Sequence, residues 1–275
     1  MGELICSTRL IGRQYLWLED TDSTNSVIRR LLRDGTTLET SEDAGRLIEG
    51  TPQEGLVVIA DHQNAGRGRS GHDWDTAPGE GLAISVLLQP EIDDNSIAIM
   101  TLVSALAVAK AIKLTCDVKP MIKWPNDLVC RNRKVCGILT ELEIAGNKKS
   151  LIVGVGINVN QRSFSKELED KATSLLIETG KEVDREELMK QFAEAFEYYY
   201  GIFVKTGDMS ALMDEYNEML INTDREVKVM DPSEDITGIA RGIDKKGQLL
   251  VETEDGVIHE IYAGEVSVRG LYGYV

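Results

Sequence analysis

Apolar residues recur along this chain with two periods, and the breaks between them place the elements. Tyr15-Leu16-Trp17-Leu18 reads as a short strand. The polar run at 20–26 follows, rich in side chains that accept hydrogen bonds from the free N–H groups of a helix start. Val27, Ile28, Leu31 and Leu32 then fall at helical spacing. Residues 34–55 are polar, glycine-punctuated and weakly patterned, which predicts a loop or a mobile insertion. Residues 56–60 and 81–88 read as buried strands, and 95–115 as a long apolar helix with little polar surface. A strand at 121–124 ends at Pro125. Residues 135–143 and 151–159 form paired strands about a turn at 146–149, and 182–205 and 210–220 form amphipathic helices.

After Asn222 the character changes. Short strands at 227–229, 235–242, 248–253, 257–262 and 266–269 are separated by Gly, Asp and Pro turns, the pattern of a small SH3-like β-barrel. The chain is therefore expected to be α+β, with a larger domain at 1–222 and a barrel at 223–275. The longest apolar stretch, 102–112, is interrupted by Ser104 and Lys110, so no membrane span is expected.

Composition narrows the function classes. With 275 residues the chain can bury a sizeable core, and its hydrophobic share of 42% and charged share of 28% are those of a soluble globular protein. A net charge of -16 opposes broad binding to nucleic acid or anionic membrane. Cys6, Cys116, Cys130 and Cys136 stand singly, and His62, His72 and His259 are scattered, so buried reduced thiols fit better than a zinc site. The first residues lack the basic start and apolar core of a signal peptide, and a cytoplasmic protein is expected.

Against that acidic background, Gly66-Arg67-Gly68-Arg69-Ser70-Gly71, with Trp74 close behind, is unusual. Glycine lets backbone approach a ligand, and arginine supplies a planar cationic fork for carboxylate or phosphate. The string also matches the dinucleotide fingerprint G-x-G-x-x-G and follows a strand. Residues 72–79, however, carry no helical apolar period and contain Pro78-Gly79, whereas a dinucleotide turn must open a helix. The segment from Gln63 to Trp74 is instead expected to be an anion-binding loop with an indole able to stack on a planar group.

Three further segments place polar groups where packing alone does not. Ser23-Thr24-Asn25 opens a helix, as a plain N-cap or as a ligand-facing edge. Lys123 lies within an apolar strand just before the turn Pro125-Asn126-Asp127, where a buried amine needs an anion. Asp127 is either a turn acid or a carboxylate for Mg²⁺ beside phosphate, and Lys134 offers another cation. In Gly154-Val155-Gly156-Ile157-Asn158, two glycines mark a close approach and Asn158 carries the donor–acceptor pair that can read an adenine edge. No nucleophile or acid–base dyad stands out. Attack of a carboxylate on the α-phosphate of ATP needs neither, only alignment and charge neutralisation.

Ser23-Thr24-Asn25, Gln63 with Gly66-Arg67-Gly68-Arg69, Lys123-Trp124-Pro125-Asn126-Asp127, Lys134 with Gly137-Ile138-Leu139, and Gly156-Ile157-Asn158 occur in the order and spacing of the biotin protein ligases. Gly242-Ile243-Asp244, Gly247 and Gly264-Glu265-Val266 resemble their small terminal domain, so the resemblance covers almost the whole chain. It implies a mixed central sheet packed by helices, and two reactions. Biotin and ATP give biotinyl-5′-AMP and pyrophosphate, and the acyl group then passes to one lysine of a biotin carboxyl carrier domain.

The resemblance assigns biotin contacts to Ser23, Thr24, Asn25, Gln63, Arg67, Gly68, Arg69, Lys123 and Gly137. It assigns nucleotide contacts to Arg67, Arg69, Trp74, Asn126, Lys134 and Asn158, and the catalytic roles to Lys123 and Arg69. Mg²⁺ is expected with ATP, and a homodimer follows from the family alone. His72 stands where some bacterial members carry another arginine, and the 34–55 segment is longer than usual. Some members begin with a helix-turn-helix repressor domain. Roughly twenty residues precede Asp22 here, too few for one, so a ligase without DNA binding is expected. The alternatives are a lipoate- or octanoyl-type ligase and a catalytically quiet biotin-binding protein.

Overall fold

A computed structural model describes residues 7–34, 51–71, 73–74, 77–90, 97–145, 148–230, 235–263 and 267–270. The larger sheet contains β1 (Tyr15–Thr21), β2 (Val57–Gln63), β3 (Gly81–Leu88), β4 (Met121–Lys123), β5 (Asp127–Cys130), β6 (Arg133–Ala145) and β7 (Lys148–Asn158). Their spatial order is β1-β2-β3-β7-β6-β5-β4. β1 and β2 run parallel and every other pairing is antiparallel, so the sheet is mixed, as expected.

Because side chains alternate across a strand, register sorts this sheet into two faces. One row joins Trp17, Ile59, Ile84, Val155 and Ile138, all buried in one core cluster. That face packs against α2 (Ile97–Cys116), which packs in turn against α4 (Arg185–Thr206). The neighbouring row points to the opposite face and joins Leu18, Ala60, Ala83, Gly156, Gly137, Asp127 and Lys123. α1 (Thr24–Asp34) covers part of this second face, with Val27, Ile28 and Leu31 on Leu16, Val58, Leu87 and Ile152. Past the start of α1, the face is left to small residues and a few charges.

Two expectations are corrected. The first concerns α2, whose segment Ala98–Cys116, 19 residues at a mean hydropathy of 1.7, is long and apolar enough to cross a membrane. Ser104 does not interrupt it, because the hydroxyl donates to Met100 O at 2.5 Å and hides its polarity within the helix. In this fold α2 is a core helix. The second concerns Asp127, which the turn-like Pro125-Asn126-Asp127 run obscures. It begins β5, paired with Lys123 on one side and Gly137 on the other.

The weakly patterned short helix α3 (Leu175–Thr179) also escapes the sequence reading. Asp184 accepts from the N–H groups of Glu186 and Glu187, so α4 starts three residues later than its apolar period suggests. Cys130 and Cys136 are buried free thiols and Cys116 is half-buried. Burial pushes the Cys130 thiol up to about 12. Cys6 and most of the 34–55 segment lie outside the described residues.

After α5 (Met213–Met219) the chain builds a second, antiparallel sheet from β8 (Glu226–Met230), β9 (Ile236–Ile243), β10 (Leu249–Glu252), β11 (Ile258–Ile261) and β12 (Ser267–Gly270). Its order is β11-β10-β9-β8-β12, consistent with the SH3-like module. Gly247, in the turn between β9 and β10, takes φ +76° and sits close enough to Leu102 of α2 that a Cβ there would lie 2.9 Å from its methyl.

Candidate functional site

The second face of the large sheet forms the floor of a cleft. Gly137 and Gly156 are direct register partners on β6 and β7, and the Trp74 indole lies on them. A Cβ on Gly156 would stand 2.4 Å from Trp74 Cε2, and one on Gly137 would stand 3.1 Å from Cζ3. One row further along, a Cβ on Gly154 would meet Asn25 Oδ1 at 2.6 Å. The glycines are thus required by what rests on the sheet.

The Gly-Arg loop folds over this floor. Trp74 N–H donates to Gly66 O at 2.9 Å, and the backbones of Arg67 and Asp73 form an isolated antiparallel bridge. Gly66 carries no side chain because a Cβ would fall 2.3 Å from the Trp74 carbonyl oxygen. β2 leads into this loop and a 3₁₀ turn at Arg69–Gly71, not into the long helix that a dinucleotide site needs. His72 lies outside the described residues.

Arg67 is exposed and reaches Ser26 Oγ at 3.2 Å. Arg69 donates to Asn126 Oδ1 at 3.1 Å, and Asn126 is itself fixed by donation to Ile138 O at 3.2 Å. Burial lowers the Arg69 pKa while the Asp127 charge raises it, and a guanidinium in this setting stays charged. The Lys134 ammonium sits 2.8 Å from Asp127 Oδ1 and 5.5 Å from the Trp74 ring centroid, a cation–π contact.

The first turn of α1 closes the other end of the cleft. Gln63 Oε1 accepts from Thr24 N at 2.8 Å and from Thr24 Oγ1 at 3.1 Å. Ser85 Oγ lies 2.7 Å from Thr24 Oγ1 and 2.5 Å from Asn25 Oδ1. Asn25 Nδ2 donates to Glu141 Oε2 at 2.6 Å, and Arg29 ties Glu141 to Glu143. Ser23, Thr24 and Asn25 are buried, and Thr24 and Asn25 spend their side chains on this network. The Ser23 N–H goes to Asp22 Oδ1 at 2.7 Å.

The structure therefore brings Ser23, Thr24, Asn25, Gln63, Arg67, Gly68, Arg69, Trp74, Asn126, Lys134 and Gly137 around one cavity. Lys123, Asp127 and Asn158 stand outside its lining. Lys123 is buried at the end of β4, in the same register row as the glycine floor. Asn158 Nδ2 donates to Thr173 O at 3.1 Å, and its Oδ1 accepts from Gln161 at 3.2 Å, so its amide clamps the 171–174 segment beside Lys134.

Sequence reasoning missed Ser85 and Glu141. A lone hydroxyl within the apolar strand Gly81–Leu88 was the available signal for the first, whereas nothing local marks the second. Among the described residues no three His, Cys, Asp or Glu side chains converge as a metal cage. The arrangement offers cations for an anion, an indole seated on the glycine floor against which a planar group can stack, and a buried polar pocket for a neutral hydrogen-bonding group.

Comparison with known proteins places this geometry. The family model for the biotin/lipoate A/B protein ligase family matches residues 37–158, and that for the biotin protein ligase C terminal domain matches 224–269. The chain is 35% identical over 234 residues to the bifunctional ligase/repressor BirA of Bacillus subtilis, covering 83% of this chain and 71% of that protein. It is 30% identical over 226 residues to the biotin–[acetyl-CoA-carboxylase] ligase of Mycobacterium tuberculosis, covering 80% and 82%. Among solved structures, a biotin protein ligase from Aquifex aeolicus in complex with biotin and ATP superposes with a TM-score of 0.79 at 32% identity, covering 94% of this chain and 99% of that one.

Proposed function

This chain belongs to the biotin protein ligases, and from that premise we propose how its residues divide the work of ATP-dependent biotinylation. The reading is carried by one observation: the Gly-Arg loop, the α1 start and the Gly137–Gly156 floor converge on a single cleft, with Lys123 in the same row.

The buried Thr24–Gln63–Ser85–Asn25 network suits the neutral ureido end of biotin, which needs donors and acceptors held in fixed directions. Ser23, Gly68 and Gly137 line the same space, and Arg67, Arg69 and Lys123 face the carboxylate end. In the first reaction a carboxylate oxygen bonds to the α-phosphorus of ATP while the bond to the bridging oxygen breaks and pyrophosphate leaves. Lys123 and Arg69 are the catalytic cations, neutralising charge that grows on the phosphoryl oxygens. Trp74, Lys134 and Asn126 complete the nucleotide side, and Asn158 serves it from behind by clamping the 171–174 segment beside Lys134. Mg²⁺ would accompany ATP and be held chiefly by its phosphates and water, with Asp127 as the protein carboxylate that would support it, and it would help neutralise phosphate charge. In the second reaction a neutral lysine amine of a biotin carboxyl carrier domain attacks the acyl carbon, AMP leaves and the amine loses its proton.

A catalytic domain at 1–222 and a barrel at 223–275, a homodimeric state, a cytoplasmic location and no binding to DNA complete the reading. The last is supported by the -16 charge, which repels a phosphate backbone. Pyrophosphate release from ATP, measured before any carrier is added, is the test. Biotin-dependent release is expected, whereas release with lipoate alone, or with neither, refutes the assignment.

A further inference from the structure

The linker between the two sheets also builds the strand that carries Lys123. β4 is a three-residue edge strand. An uncovered edge would leave its main-chain groups bare. Residues 220–222 cover it: Leu220 bridges Ile122 in parallel, and Ile221 N–H donates to Ile122 O at 2.9 Å. In a regular parallel ladder the next donor, Trp124 N–H, would find a main-chain carbonyl of the linker. It finds a side chain instead, the buried Asn222, whose Oδ1 accepts at 3.2 Å. The indole N–H of the same Trp124 donates to Gly247 O, in the β9–β10 turn, at 3.0 Å. Trp124 is therefore held twice, by the linker and by the barrel, one residue beyond Lys123.

We propose that Asn222 is a positioning residue for Lys123. Its carboxamide completes the edge ladder of β4, and the Gly247 carbonyl anchors the adjoining indole, so the C-terminal module fixes the backbone from which Lys123 reaches the reacting phosphate. The proposal rests on the biotin ligase reading of Lys123. Asparagine serves here because its side-chain oxygen extends beyond the backbone, where the linker diverges toward the barrel. A leucine of similar shape would orphan the Trp124 N–H, whereas an aspartate would keep the acceptor.

Three measurements test it: pyrophosphate release at saturating biotin and ATP, binding of labelled biotin at equilibrium, and thermal unfolding. Asn222→Leu is expected to lower the adenylation kcat about 10- to 100-fold, the range that small misplacements of a reacting group produce. Its biotin dissociation constant should stay within about fivefold of wild type, because the ureido network lies on α1, β2 and β3. Asn222→Asp is expected to restore kcat to within about threefold, which a general loss of packing would not allow.

Wild-type kcat in Asn222→Leu, or an Asn222→Asp variant as slow as the leucine one, overturns the proposal. So does a parallel loss of biotin binding and turnover. If Asn222→Leu does not fold, Trp124→Phe decides: it removes the bond to Gly247 together with part of the buried ring, and an unchanged kcat refutes the anchoring. Wild-type chain silent toward biotin overturns the ligase reading and this proposal together, whereas active wild type with an unimpaired leucine variant overturns the proposal alone.

Discussion

Gly156→Ala isolates what the glycine floor contributes. A methyl group there would begin 2.4 Å from Trp74 Cε2 and 2.6 Å from Nε1. Carbon–carbon contact becomes favourable near about 3.5 Å, so the indole must retreat by about 1 Å. It cannot do so alone, because Trp74 N–H is tied to Gly66 O and the same loop carries Arg69, whose guanidinium reaches Asn126. The displacement is therefore passed to a catalytic cation. Misplacement by about 1 Å can cost on the order of 100-fold in rate, or roughly 2.7 kcal/mol of barrier.

The expected result is a kcat/KM for ATP lowered about 10- to 100-fold in biotin-dependent pyrophosphate release, with a shift in tryptophan fluorescence. Biotin binding should change less, since Thr24 and Gln63 do not touch Gly156. Global destabilisation is separated by a control, Gly201→Ala, where an added Cβ meets nothing within 4 Å. In α4 that change should raise stability by about 0.5–1 kcal/mol and leave turnover alone. Wild-type kcat/KM for ATP in Gly156→Ala, with unchanged fluorescence, would show that the indole does not use this floor during the reaction.

Other variants probe the remaining roles. Lys123→Ala should abolish adenylate formation, and full turnover by that variant removes Lys123 from the chemistry. Arg69→Gly should release free adenylate, seen as biotin on bystander proteins mixed with the enzyme, and unchanged retention refutes the clamp. Asp22, hydrogen-bonded and ion-paired to Arg30, is held well below the usual carboxylate range. The stability it adds is thus present above the unfolded value near about 4 and is lost as pH falls toward the depressed folded value. Asp22→Asn should flatten that acid limb in a series of thermal melts, and an unaltered limb would mean that the pair contributes nothing in solution.

The sequence makes most elements legible because their apolar runs are long, as in α2 and in β3, a continuous buried run whose bounds fall where its length and flanking polar residues put them. It hides elements whose residues have local reasons to be something else. Asn126 and Asp127 look like a turn after Pro125, yet Asp127 is held as a strand residue by partners on both sides. The site residues in the Gly-Arg loop are legible because that composition is costly without a ligand. Ser85 and Glu141 are supports whose meaning appears only when β3, β6 and α1 are brought together. Trp124 shows the opposite failure. It stands inside the most specific motif, yet its ring is buried against the C-terminal module and its indole N–H serves the barrel turn.

The same alternation explains how a cleft can be cut into a sheet without weakening the fold. In β7, Val153, Val155 and Ile157 face α2 and are buried, while Gly154 and Gly156 face the cleft. Each glycine costs roughly 0.5–1 kcal/mol relative to alanine through backbone freedom. Burying an aliphatic side chain such as valine or isoleucine contributes about 1.5–3 kcal/mol. The apolar face therefore outweighs the bare one, residue for residue, and the strand stays ordered while one surface is stripped to the backbone. Substitution on the two faces should then separate in kind: valine to alanine at 153 or 155 should lower the melting temperature, whereas alanine at 156 should first disturb the ligand.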